Sequence, residues 1–394
     1  MTILAARMRA IQPFHVMEVL DRAMSLARAG HPVIHLELGE PDFLAPPQIV
    51  EAGIAAIKNG HTGYTQAVGL PELREAINTR YAVPIRPGYE RVLVTPGSSG
   101  ALQIVFAAIV DAGDEVLMAD PNYPCNSNFV RLYGGCPVGV PVDASTNYQL
   151  TAELVERNWT ARTRAVLVTS PCNPTGTVIE PKEMQRIVQV TEQRGGVVVS
   201  DEIYHGLVYD ADCVSALAYS PNVFIINSFS KYYGMTGWRL GWLIAPRQYI
   251  NELTKLAQNL FISPSAPAQY AALSAFDPVV QSEFEQRRLR YRERRDYFVP
   301  ALRELGFGIP VLPQGAFYVY ADVGAFCDNS EAFTLELLQE TYVAIAPGRD
   351  FGHNASERHV RLSYANDLAN LKEAVSRISA YLQVRTDVKG KNQR

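Results

Sequence analysis

Lys231 sits in the run Ser228 to Gly241, a lysine set among hydroxyls, small residues and one arginine, Arg239. The apolar residues Val223 to Ile226 ahead of it read as a buried strand. A desolvated amine near a second cation gives up its proton easily and can attack a carbonyl to form a Schiff base. Ser228 offers a hydroxyl and Arg239 a forked cation, the donors a phosphate needs. An amine for an aldehyde, with donors for a phosphate, is the requirement of pyridoxal phosphate.

Other reactive residue types fall at similar places. Asp201 and Tyr204 follow the apolar run Val197 to Ser200. A buried aspartate needs a cationic partner. A protonated pyridine nitrogen would supply one; a helix cap or a structural ion pair is the alternative. Ser98, Ser99 and Gly100 lie between the run Arg91 to Thr95 and a helical stretch from Ala101. Helix N-termini bind phosphate, although Gly-Ser turns before helices are common for other reasons. Asn173 either hydrogen-bonds a ring oxygen or makes an ordinary Asn-Pro turn. Tyr123 offers a flat face for an aromatic ring or for plain packing. Gly39, and Gly63 with Tyr64, mark turns where a substrate can approach the backbone. Arg361 lies on the strand-like run His359 to Tyr364. Pointing inward it would bind a carboxylate; pointing outward it is a surface arginine.

These groups need elements that bring them together. Between 90 and 245, strand-like runs at 91–95, 115–119, 165–169, 197–200, 223–227 and 240–244 alternate with helical stretches at 101–110 and 181–193. This predicts an α/β fold, a largely parallel sheet covered by helices, with ligand groups beyond the carboxyl ends of the strands. Earlier, Val16, Val19, Leu20, Ala23 and Leu26 form one face of an amphipathic helix stopped by Gly30 and Pro32. Residues 278–306 read as a long helix mixing arginines with acids, expected to be a solvated face with local ion pairs. Beyond 307, strands at 316–321 and 359–364 with helices at 331–340 and 367–382 suggest a smaller α+β unit, ending in a disordered polar tail.

With 47% hydrophobic residues among 394, the chain can bury a sizeable core. A net charge of -4 argues against nucleic acid or a membrane surface as a charge-driven partner. No run is long and apolar enough to span a bilayer, and no secretion signal is expected at the start. Five cysteines without CxxC spacing predict free thiols in a cytoplasmic protein, and the scattered histidines predict no metal site.

In order and spacing, Gly63-Tyr64, Ser98 to Gly100, Asn173 to Gly176, Asp201 to Tyr204 and Ser228 through Arg239 resemble the class I aminotransferases of pyridoxal-phosphate fold type I. The resemblance extends from Gly39 to Arg361. It implies an arm and part of a small domain over 1–45, a large cofactor-binding domain over 46–290 with a mostly parallel, seven-stranded-type sheet, and a small C-terminal domain over 291–394. It implies Lys231 as Schiff-base lysine and proton shuttle, Asp201 on the pyridine nitrogen, Asn173 and Tyr204 at the 3-oxygen, and Tyr123 against the ring. Ser98, Ser99, Ser228 and Arg239 match phosphate ligands, with Gly100 beside them. Tyr64 matches a tyrosine that reaches the neighbouring subunit's cofactor, so a homodimer is implied. Arg361 matches the arginine that holds the substrate α-carboxylate, with Gly39 and Asn173 near it.

The implied reaction exchanges an amino group between an L-amino acid and a 2-oxo acid by a ping-pong route. Several aspartate-type relatives carry a lysine where Ser99 stands. Its loss points to a neutral or aromatic donor, with 2-oxoglutarate or pyruvate as acceptor. A carbon–sulfur lyase or a cyclopropane-carboxylate synthase would share the same cofactor residues. A DNA-binding sensor fits the acidic charge poorly, and a nucleotide-binding protein lacks a GxGxxG after its first strand.

Overall fold

The computed structural model describes residues 3–81 and 86–392, the last seven by backbone alone. A seven-stranded sheet runs in the order Val92–Thr95, Gly241–Ile244, Phe224–Ser228, Val197–Asp201, Thr163–Thr169, Glu115–Asp120 and Cys136–Pro141. Gly241–Ile244 runs antiparallel to both of its neighbours, and every other pairing in the sheet is parallel. The strands other than Cys136–Pro141 are almost wholly buried, as continuous apolar runs must be when helices cover both faces. One face packs on Gly97–Ile109 and Ile250–Leu260, where Phe106 and Leu253 are fully buried. The other packs on Pro71–Arg80, Pro181–Gln193 and Ala266–Leu273.

Cys136–Pro141 is the strand that the sequence hides. It contains two prolines and a glycine, which remove ladder donors and side chains. It survives because it lies at the edge and pairs only with Glu115–Asp120.

A second, antiparallel sheet joins Ala346–Pro347, His359–Ser363 and Tyr318–Asp322. Ile34–His35 pairs in parallel with Val343–Ala344, so early residues join late ones. Asp120, ending its strand, binds the two units together: its carboxylate accepts from the backbone N–H groups of His353 at 3.0 Å and Asn354 at 3.3 Å.

Three expectations change. The helix expected from Ala101 begins at Gly97, so Ser98 and Ser99 sit in its first turn. The helix Pro278–Glu304 is not merely solvated: Arg294 and Arg295 are buried. Arg294 reaches Asp42 through two hydrogen bonds of 2.9 and 2.8 Å, and Arg295 reaches Asp210 at 2.8 Å. These are long-range ties, which local charge patterning cannot reveal. The expected disordered tail is instead helical, since Leu368–Asn392 is one helix; Gln393 and Arg394 fall outside the described residues.

Candidate active site

The carboxyl ends of the parallel strands open into a cavity of about 380 Å3. Gly39, Ser98, Ser99, Tyr123, Asn173, Asp201, Tyr204, Lys231, Arg239 and Arg361 all line it. Three predicted residues do not. Ser228 is buried behind the wall, its hydroxyl within reach of Ser230 Oγ at 2.9 Å and the Leu240 carbonyl at 3.0 Å; Ser230 lines the cavity in its place. Gly100 packs inside the helix, where a Cβ would lie 3.0 Å from Pro96. Tyr64 is 83% exposed, away from the cavity of its own chain.

Lys231 follows the buried strand Phe224–Ser228 by three residues, and its amine donates to the Gly39 carbonyl. Burial, together with Arg361 and Arg239, pushes that amine down to about 8. Asp201 is the last residue of its strand, paired with Thr169. Its Oδ1 accepts from the Ile203 N–H at 3.1 Å. Burial pushes the carboxyl up to about 7, because the nearby His205 and Lys231 charges do not offset desolvation.

The first turn of Gly97–Ile109 directs N–H groups and the positive end of the helix at the cavity. Close approach makes this possible. Gly97 has φ of +70°, and a Cβ there would lie 2.7 Å from Arg239 Nη2. A Cβ on Gly241 would lie 2.8 Å from Ser98 N. Arg239 itself has φ of +52°, a left-handed conformation uncommon outside glycine and typical of constrained sites.

Arg361 points inward and is 5% exposed. It donates to Asn173 Oδ1 at 3.0 Å and to the Glu37 carbonyl, and its guanidinium lies over Tyr318 and Phe351. Its buried Nε has no hydrogen-bond partner among the described residues. The Tyr204 and Tyr318 hydroxyls lie 2.9 Å apart.

Sequence reading missed part of the wall. Tyr318 and Phe351 have the look of core aromatics, and no local pattern separates them from packing. Val16 and Met17 also line the cavity at the start of the helix His15–Arg28, together with Phe14, whose segment the family resemblance brings near the substrate. Asp350 holds that helix end, accepting from the His15 and Val16 N–H groups at 2.7 Å each. The two partners are over 300 residues apart, so sequence spacing carries no trace of the pair.

The donor set fits pyridoxal phosphate. An amine, a buried carboxylate short of positive charge, and a helix N-terminus beside a guanidinium suit an aldehyde, a protonated pyridine and a phosphate.

Comparison with known proteins agrees. The family model for aminotransferase class I and II matches residues 31–378. A valine–pyruvate aminotransferase of Mycobacterium tuberculosis is 39% identical, covering 97% of this chain and 99% of its own. A (5-formylfuran-3-yl)methyl phosphate transaminase of Methanocaldococcus jannaschii is 38% identical over 96% of this chain and 100% of its own. The crystal structure of an aminotransferase from Mycobacterium tuberculosis superposes with a TM-score of 0.94 at 39% identity, covering 98% of this chain and 100% of that one. An aspartate aminotransferase from Thermus thermophilus with maleate gives 0.90 at 34% identity, covering 96% and 100%. The chain belongs to the class I and II aminotransferases, and is a pyridoxal-phosphate-dependent transaminase with the type I fold.

Proposed function

We propose that this transaminase takes a neutral or aromatic L-amino acid as donor and 2-oxoglutarate or pyruvate as acceptor, in a ping-pong cycle. The observation that carries the donor class is the cavity wall. Its only cations among the described residues are Lys231, Arg239 and Arg361. Each has a task, so a second carboxylate on donor or acceptor finds no further cation on this chain, which favours pyruvate over 2-oxoglutarate as acceptor. Phe14, Val16, Met17, Leu38, Leu102 and Ile203 supply an apolar surface.

Bound pyridoxal phosphate supplies an aldehyde that condenses with amines and a ring that takes up the electron pair left when the α-proton departs. Lys231 would hold it covalently. The Lys231 amine would serve as the base for the substrate α-proton, and an amine that ionises near 8 suits that task at neutral pH. Asp201 would pair with a protonated pyridine nitrogen. Asn173 and Tyr204 would hold the 3-oxygen, and Tyr123 would take the ring. Ser98, Ser99 and Arg239 would hold the phosphate, with Ser230 lining the cavity where Ser228 does not. Arg361 orients the substrate α-carboxylate beside Gly39. The assembly we propose is a cytoplasmic homodimer in which Tyr64 reaches the neighbouring site; its exposure is consistent with that task.

A half-reaction screen tests the donor class. Each amino acid is added singly, without acceptor, to the cofactor-loaded enzyme, and the visible absorbance of the bound cofactor is followed. Alanine, methionine or phenylalanine should convert it at least about tenfold faster than aspartate, the scale expected when a substrate charge goes unpaired. Aspartate leading by orders of magnitude would remove the proposal. Pyruvate released from cystathionine without any acceptor would favour the lyase reading.

A further inference from the structure

A second cluster of reactive side chains lies outside the catalytic cavity. Cys213 Sγ is 3.2 Å from His205 Nε2, and His205 Nδ1 is 3.3 Å from Glu202 Oε2. Glu202 is 1% exposed. Its Oε1 accepts from the Ser200 and Ser215 hydroxyls and the Ala216 N–H at 3.2, 2.9 and 3.0 Å. Its Oε2 makes no hydrogen bond among the described residues. One oxygen therefore fixes the carboxylate and the other faces the imidazole. Cys213 and His205 both line a separate cavity of about 340 Å3, with Arg80, Tyr81, Ser215 and Asn227 on its wall.

The surrounding charge favours a protonated imidazole beside the sulfur. Burial pulls His205 down, but Cys213 and Glu202 outweigh it and hold it at about 9, against Arg80 from the helix Pro71–Arg80. Tyr81 lines the same cavity, its hydroxyl accepting from Trp242 Nε1 at 3.0 Å, and the Tyr232 ring packs against Gly206. A sulfur, an imidazole in reach of it and a carboxylate behind the imidazole give the order nucleophile, base and orienting group.

We propose that Cys213 is a nucleophilic thiol served by His205 and Glu202, and that its cavity is a modification site for small electrophiles, hydroperoxides above all. His205 takes the thiol proton. The sulfur then bonds to the terminal oxygen of the hydroperoxide and the O–O bond breaks. The departing oxygen takes the proton from His205. Sulfur is oxidised to a sulfenic acid, and the hydroperoxide is reduced to an alcohol, or to water when hydrogen peroxide is used.

The test treats the cofactor-loaded enzyme with hydrogen peroxide in the presence of a sulfenic-acid trap, and separately with iodoacetamide. Peptide mass spectrometry then gives the rate at each cysteine. Cys136 is exposed and serves as internal reference. Cys213 should react at least about tenfold faster than Cys136 with both reagents. His205→Gln should remove that advantage, with retained cofactor absorbance showing that the variant is folded. Cys213→Ser should keep transamination and lose the trapped product. Cys136 reacting as fast as Cys213 in the unmodified enzyme would overturn the proposal without any variant. So would an unchanged Cys213 rate in folded His205→Gln.

Discussion

At Asp201, the requirement of the chemistry opposes the requirement of the fold. In the unfolded chain its carboxyl loses its proton near 3.8; in the fold it keeps it to about 7. Between those values the native state binds more protons than the unfolded one. The stabilising contribution is therefore complete below about 3.8 and is lost as pH rises through about 7. Asp201→Asn in the cofactor-free protein should raise stability at pH 8 by on the order of 2–4 kcal/mol, an effect absent at pH 4. Thermal unfolding at the two pH values checks this. The same variant with cofactor should lose transamination at least about a hundredfold. A variant no more stable than the parent at pH 8 would mean that Asp201 already has its counter-charge without the cofactor.

The elements matter through how closely they approach. The helix Gly97–Ile109 can present its first turn only because no side chain stands at 97 or 241. Gly97→Ala puts a Cβ against Arg239 Nη2 and forces an L-residue to φ of +70°. It should cost about 1 kcal/mol or more in stability and weaken cofactor binding at least about tenfold. Titration of the cofactor-free variant followed by absorbance measures the second effect; unchanged affinity would show that Arg239 and the helix end do not act together. This junction also explains the displaced helix start. Gly97, Ser98, Ser99 and Gly100 are weak helix formers, so local propensity places the start at Ala101. Packing against Gly241 and the preceding Pro96 turn decides otherwise.

At the scale of the whole molecule, the proposed dimer makes Tyr64 part of another chain's site. Val50, Ile54 and Ile57 on the helix Pro47–Lys58 are also exposed, an apolar set that a second copy would cover. Mixing two defective chains tests this. Lys231→Ala chains have no reactive lysine but an intact Tyr64; Tyr64→Phe chains have the reverse. A mixed dimer has one site with both native residues. At limiting cofactor, an equal mixture that exchanges subunits should recover about a quarter of the parental activity, the statistical share of native sites. No recovery above the Tyr64→Phe level, with exchange verified, would place Tyr64 outside the neighbouring site.

Local patterns along the chain carry the alternation of buried strands and helices, because period and burial are local properties of a chain covered on both faces. They also mark Lys231, Asp201, Asn173, Tyr204 and Tyr123, because each follows or ends an element whose pattern is readable. Contacts between distant partners come only with the folded molecule. It turned Arg361 inward onto Asn173 and the Glu37 carbonyl, and paired the start of His15–Arg28 with Asp350. It buried Arg294 against Asp42 and set Cys213 beside His205 and Glu202. A side chain's direction and its long-range partner are set by packing between elements, and packing between elements leaves no period in the chain.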